Sequence, residues 1–460
     1  MAAEVRNDTP LAPVAPVTPA ATAGSQLAIQ RLVTHAFRRL GWGVADQAVS
    51  SLTNFAVSVY VVHSLGATQF GAFSLAYVTY GFVLNASRGL STDPLMVRFS
   101  GASVRAWRRG VADCTGTSLA VGLAMGIGAL LAAVLLGGTA GAAFLALGLT
   151  LPALMLQDSW RFSFFVAGRG GQAFLNDCIW GLTLIPAVLL LRVTGHADVF
   201  WLTFAWGATA GIAAVGGMLQ AGIIPRPGYA WDWLTRHRDL GTRYMIEGTL
   251  SSAVTQVRGY GTALILGLAA VGYVQASVTL MGPMTILFMG MALVTLPEAG
   301  RILRRTPRHF PTFCCLVSGG LGLAGLGWGV VLLIAVPRGL GHAIIGQIWR
   351  PTYPLVLPQT IYIVAAGIAA GAGTGLHALG AAKRSLRVAI IGSVISSIFA
   401  LAGAVAHGAS GTIYGLAAGT WIWAIVSWAE FRKAWQDDKR GRAAAEEAAV
   451  ADADSARRQG

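Results

Sequence analysis

Charge is scarce in this chain. Asp, Glu, Lys and Arg make up only 11% of its 460 residues, where a soluble domain carries about a quarter. That deficit excludes an ordinary soluble globular protein. Cysteine is equally thin: Cys114, Cys178, Cys314 and Cys315 all fall in apolar runs. None has metal-ligand or disulfide-framework spacing, so they read as small packing residues. There is no Walker loop, which removes ATP use of its own, and no HExxH, GxSxG or paired CxxC. No basic flank leads into an apolar block and cleavage site, so no signal peptide is expected. Neither a cofactor nor a metal is expected, and the chain does not read as an enzyme.

What remains is grease. Hydrophobic residues make up 55% of the chain and mean hydropathy is +0.63. Apolar runs of about 20 residues recur, the length needed to cross about 30 Å of hydrocarbon as a helix. The expected fold is an all-α polytopic membrane protein with twelve transmembrane helices: 40–64, 70–90, 111–136, 140–166, 172–192, 198–222, 244–268, 270–297, 309–336, 354–378, 384–406 and 410–430. The formal charge of +14 does not indicate nucleic acid, because the arginines cluster between spans. With twelve spans, Arg38, Arg98, Arg108, Arg169, Arg236, Arg304, Lys383 and Arg432 share one face with their neighbours. The opposite face holds only Arg192, Arg338 and Arg350. By the positive-inside rule both termini are cytoplasmic and the protein is a multi-pass component of the inner (plasma) membrane.

The spans group into segments. Residues 1–39 are an Ala/Pro/Thr-rich disordered tail and a basic interfacial stretch. Residues 40–222 form an N-terminal six-helix bundle, 223–243 a cytoplasmic linker with prolines and tryptophans, and 244–430 a C-terminal six-helix bundle. The tail from 431 to 460 is compatible with either a helix or disorder. The bundles echo each other. Laying 41–89 over 242–290 without a gap matches Asp46 with Glu247 and Ser50-Ser51 with Ser251-Ser252. It also matches Gly71, Gly81 and Gly89 with Gly272, Gly282 and Gly290. A second echo joins FFVAGRGGQ around Gly168 to LHALGAAKR around Gly380. Each half has an even number of spans, so the repeat is parallel, its pseudo-two-fold axis along the membrane normal.

The opening polar span, followed by SLGATQFGAFSLA (Ser64 to Ala76), resembles the start of polysaccharide-transporter flippases. These are the O-antigen and lipid-linked oligosaccharide members of the multidrug/oligosaccharidyl-lipid/polysaccharide exporter superfamily. HALGAAKRSLRVAIIGSVIS (His377 to Ser396) is similar to that family's second-half junction. The resemblance implies two six-helix bundles around a central cavity and transfer of a lipid-linked saccharide by alternating access. No family motif carries site residues over, so the candidate sites are read from physics.

A charge at mid-bilayer costs at least about 2.5–3.5 kcal/mol on insertion scales and faces a cavity or a partner. Glu247, Ser251, Thr255, Arg258 and Thr262 form one stripe of span seven. Glu247 and Arg258 are about 16 Å apart along the axis and do not pair. Arg258 is the leading candidate for substrate phosphate, since its planar fork donates two parallel hydrogen bonds. A structural ion pair with Asp46 or Asp158 is the competing reading. Asp46 and Asn54 repeat the stripe in span one; Asp46 and Glu247 are candidates for ion coupling. Arg88 is expected to reach the headgroups or the substrate. Arg161 is expected either to pair with Asp158 at i, i+3 or to face the cavity. Asn176 and Asp177 look like caps, and Pro283 is a candidate hinge in span eight.

The function these features favour is a flippase for a polyprenyl-phosphate-linked saccharide, a precursor of polysaccharide, lipopolysaccharide or another envelope glycan. Its expected partners are that substrate, membrane lipids, and glycosyltransferases or a polymerase of the same route. A cation-coupled multidrug exporter of the same superfamily is the alternative; a membrane glycan polymerase or ligase is disfavoured by the short outer loops.

Overall fold

The computed structural model describes Trp42 and residues 45–47, 49–100 and 102–459, with side chains excepted at Glu247, Gly248, Leu250, Ser251, Leu293, Ala382 and most positions from 445 on. The described residues contain helices and no strand. The helices are α1 (49–64), α2 (Ala67–Leu90), α3 (Thr92–Phe99), α4 (Val104–Leu136), α5 (Gly138–Val166), α6 (Gly170–Val193) and α7 (Val199–Ala221). They continue with α8 (Ala230–Arg236), α9 (Arg238–Leu266), α10 (Leu268–Leu280), α11 (Gly282–Arg305), α12 (Phe310–Ala335), α13 (Gly341–Ile345), α14 (Trp349–Ala378) and α15 (Ala382–Gln459).

Among the described residues, seven helical stretches are long and apolar enough to cross a membrane. Two of them, Pro307–Ala378 and Lys383–Ala444, are 72 and 62 residues long and are broken internally. The second breaks at His407 and Gly408, where the backbone leaves helical geometry, dividing α15 into two arms. The expected eighth span is likewise two helices, α10 and α11, interrupted at Met281. α9 begins at Arg238, ahead of the expected start of the seventh span at 244. The tail is helical: the second arm of α15 continues from its apolar stretch to Gln459.

Both sequence echoes have a structural counterpart. Where α2 crosses α10, a Cβ on Gly71 would lie 1.9 Å from the Leu268 carbonyl oxygen, and one on Gly272 would lie 2.1 Å from that of Ala67. Ala67 and Leu268 are themselves matched by the ungapped overlay, so each copy presents the same backbone to the other. The contact is reciprocal, and glycine at both positions lets the two helix backbones come this close.

The turns at Gly168 and Gly380 also coincide. Each preceding residue, Ala167 and Leu379, has φ −75° and ψ −4°, and the glycines follow at φ 70° and 66°. Each turn closes with the same pair of bonds: Gly168 N to Phe165 O with Arg169 N to Phe164 O, and Gly380 N to His377 O with Ala381 N to Leu376 O. The left-handed backbone is what glycine supplies at a helix C-terminus. Gly168→Ala and Gly380→Ala are each expected to cost about 1–2 kcal/mol, in similar amounts because the geometry is the same. Thermal unfolding of the two variants checks this; a cost at one site alone would break the equivalence.

Candidate substrate and ion sites

The helix pair α5 and α6 turns back at Gly168, so positions roughly ten residues either side of the turn lie at similar depth. Asp158 and Asp177 are two such positions, and with Asp46 they surround Arg161. Arg161 Nε and Nη2 both donate to Asp46 Oδ2, at 3.0 and 2.5 Å. Its Nε is 3.2 Å from Asp177 Oδ2 and its Nη1 4.0 Å from Asp158 Oδ1. Asp158 is taken mainly by Arg88, whose Nε and Nη2 donate to its two oxygens at 2.9 and 2.6 Å. Gln157 Nε2 completes the group, donating to Asp177 Oδ1 at 2.9 Å and Asn176 Oδ1 at 3.2 Å.

This network corrects three expectations. Arg88 is not spent on headgroups but bridges α2 to α5. The Asp158–Arg161 pair exists only as a long contact, because Asp46 and Asp177 compete for the guanidinium. Asn176 and Asp177 are not caps; they are buried inside α6, with Asn176 Nδ2 donating to Ala213 O at 2.7 Å. Three carboxylates face two guanidinium groups, which leaves one formal negative charge when all are ionised. Asp46 Oδ1 is buried and accepts no hydrogen bond among the described residues. Beside it, Ser50, Thr53 and Asn54 line a crevice with Asp177, Trp180 and Trp206. Its volume of about 10 Å³ suits at most a single water or ion. An apolar groove of about 490 Å³ runs alongside, between α1 and α6.

Arg258 lies elsewhere. Neither Asp46 nor Asp158 reaches it, and no carboxylate among the described residues forms an ion pair with it. Its helix, α9, packs against α2 and α15. Arg258 and Thr255 are shared by two small cavities. One, of about 170 Å³, lies among α9, α14 and both arms of α15. The other, of about 100 Å³, reaches from α9 to Ser74 and Val78 on α2, with Gln275 and Gln359 on its walls. Arg258 thus lines both, and the larger lies among helices that follow residue 238. Glu247 and Ser251 belong to α9, but their side chains lie outside the described residues. Pro283 is the second residue of α11, directly after the break at Met281, where its missing N–H costs no helical bond.

The segment between α7 and α9 is latched to α3. Arg98 Nη1 donates to Arg236 O at 3.1 Å and to His237 Nδ1 at 2.7 Å, while Nη2 donates to Asp239 Oδ2 at 2.6 Å. Trp233 is buried, stacked on Phe99 at 5.8 Å. Burial, with Arg98 and Arg236 nearby, pushes the His237 imidazole from its ordinary 6.5 down to about 4. The closed latch therefore holds the ring unprotonated, and an opened segment takes up a proton first. The contribution is fully present above pH 6.5 and is lost as pH falls toward 4. Amide exchange over 230–241, corrected for intrinsic rate, should accelerate across that window and stay level in His237→Gln; equal protection at both ends would refute the latch.

Neither a family model nor a curated relative matches the chain. Solved structures do. An inward-facing multidrug resistance MATE family transporter of the MOP superfamily aligns with TM-score 0.69 and 15% identity, over 85% of this chain and 96% of that one. Lipid II flippase MurJ in an inward closed conformation aligns with TM-score 0.64 and 11% identity, over 86% and 90%. A MOP superfamily transporter from Pyrococcus furiosus Vc1, described as having a binding pocket of reverse polarity, aligns at 0.55 and 15%, over 87% and 95%. At these identities the likeness is one of fold, and the chain has the fold these transporters share.

The acid network went unseen as a unit in the sequence, although one clue was present. Acids at matched distances from the Gly168 turn, on adjoining helices, mark residues that can meet across them.

Proposed function

We propose that the chain is a twelve-span inner-membrane flippase, its two six-helix halves rocking about a pseudo-two-fold axis to move a polyprenyl-phosphate-linked saccharide between leaflets. Counting α10 with α11 as one span and the arms of α15 as two gives six in each half, with both termini cytoplasmic. The observation that carries the reading is Arg258: an intramembrane guanidinium with no carboxylate partner among the described residues, beside cavities shared with Thr255. Such a cation is stabilised by water or by an anionic ligand, and a phosphate-bearing head supplies the latter. Arg88 and Arg161, engaged by aspartates, hold the head only in a state where those contacts open. Asn54 and Ser251 are polar contacts for the sugar. The interruption at Met281 and Pro283 serves as the hinge, and glycosyltransferases or a polymerase of the same route are the expected partners.

Coupling to an ion is assigned to Asp46, with Glu247 as its repeat equivalent. The unbalanced charge of the Asp46–Asp158–Asp177 group supports it, since one proton or monovalent cation neutralises the set. The same observation supports the second reading, a cation-coupled exporter of small cationic compounds, for which the likeness to a MATE transporter also speaks. Transfer of a fluorescent lipid-linked oligosaccharide across reconstituted vesicles separates the two. Arg258→Ala is expected to slow it at least about tenfold, the rate equivalent of about 1.4 kcal/mol. An unchanged rate removes the phosphate role, and cation efflux without lipid transfer favours the exporter.

A further inference from the structure

We propose that the cavity among α9, α14 and the two arms of α15 is an oxyanion site, which takes a phosphate or diphosphate group and excludes the sugar attached to it. The proposal rests on the reading of Arg258 as an anion-facing group and specifies the ligand, the donors and the limit of size.

The walls are one-sided in their chemistry. Among the described residues, Arg258, Tyr362, Ser393, Ser396, Thr420 and Trp423 contribute every polar side chain except Thr255, and no Asp or Glu lines the cavity. Arg and the indole N–H are donors only. The Trp423 Nε1–H is buried and has no acceptor among the described residues, an orphan that an incoming oxygen would satisfy. The indole is held by close packing, since a Cβ on Gly392 would fall 2.1 Å from Trp423 Cδ1. Thr420 Oγ1 spends its proton on Leu416 O at 2.7 Å, leaving the tyrosine and serine hydroxyls to turn their protons inward. A guanidinium, an indole N–H and rotatable hydroxyls, without a carboxylate, select a ligand that is all acceptor and negatively charged.

Size sets the second limit. The cavity of about 170 Å³ is below the range of about 300–1,000 Å³ typical of sites that enclose drug-sized ligands. It admits a phosphate or diphosphate and leaves a pendant saccharide outside. Arg258 and Thr255 also line the neighbouring cavity, whose walls reach α2. Among the described residues the two sites are opposite in charge: three aspartates face two arginines around Asp46, whereas Arg258 is the charged side chain lining this cavity.

Radiolabelled inorganic pyrophosphate, bound to the full-length protein in detergent and measured by equilibrium dialysis, tests the site. Saturable binding is expected, weakened at least about tenfold in Arg258→Gln, and about three- to tenfold in Trp423→Phe, which removes the N–H and keeps the ring. Arg258→Lys should retain part of the affinity. Size-exclusion profiles establish that each variant is folded. No binding to the wild type, or equal binding to wild type and both loss variants, overturns the proposal. Displacement distinguishes the source of the anion. If a short-chain prenyl diphosphate displaces the label at a concentration at least tenfold below that of unlabelled pyrophosphate, the lipid-borne group is the ligand; equal potency assigns the site to a free oxyanion. Should pyrophosphate bind at Arg258 while Arg258→Ala still transfers lipid-linked sugar normally, the site stands and the flippase reading falls. Should transfer require Arg258 with no oxyanion bound, the reverse holds.

Discussion

Arg161→Ala is expected to destabilise the N-terminal half by about 3–5 kcal/mol, the usual cost of breaking a buried ion pair by removing one partner. The argument lies in what the substitution leaves behind. Asp46 and Asp177 have side-chain exposures of 1% and 2%, and within the described residues Arg161 is the only cation in contact with either. Without it, two carboxylates at close quarters keep their desolvation cost and gain mutual repulsion. Arg161→Lys should recover little, because one ammonium does not reproduce the forked contact to Asp46 while also lying near Asp177. By contrast, Arg161→Met combined with Asp46→Asn and Asp177→Asn should recover most of the loss, since exchanging a whole buried charge cluster for neutral groups is far cheaper than orphaning part of it. Thermal melts of the purified protein in detergent decide the matter. A single variant as stable as the triple one would mean that the cluster is solvated rather than dry.

A second large effect is expected at the crossing of α2 and α10. Gly71→Val and Gly272→Val each force backbones apart that now touch, at a cost of about 1–3 kcal/mol or more from overpacking. The informative measurement is the double variant. Once the helices have separated to admit one side chain, the second enters at little further cost. The combined loss should therefore fall short of the sum, with a coupling of about 0.5–3 kcal/mol. Gly81→Ala is the control: its added Cβ meets nothing within 4 Å, and a helix-interior glycine replaced by alanine should gain up to about 1 kcal/mol. Strict additivity at Gly71 and Gly272 would mean the two residues do not share one contact.

Much of the architecture was legible because the membrane imposes simple rules. Apolar runs of bilayer length become helices, and the breaks at Gly168 and Gly380 were readable as turns. Of the ungapped match, the informative part proved to be the glycines. Gly71 and Gly272 sit opposite each other's backbones, while the acid and Ser-Ser match falls on positions such as Glu247 and Ser251 whose side chains are not described. What sequence could not give was the partner of each intramembrane charge. In water, amphipathic periodicity tells which face of a helix is buried. In lipid the exterior and the core are both apolar, so that guide is lost. Arg88 finds Asp158 on another helix, seventy positions along the chain, and nothing local to either residue announces the match. Likewise, nothing local to Arg258 announces that it shares a cavity with Tyr362 on α14 and Trp423 on α15.

The second arm of α15 leaves the apolar bundle without a break and continues to Gln459. Its base is clamped where Arg442 donates to Leu303 O at 3.2 Å and Asp437 accepts from Arg384 at 2.6 Å. About 25 Å of rod therefore projects beyond residue 442 at about 1.5 Å per residue, fixed to the last apolar stretch as a pointer is fixed to a dial. A tilt of some 15° at the clamp moves its tip by about 7 Å on the same geometry. A fluorophore near residue 455 would thus magnify motions too slight to register among the packed helices themselves.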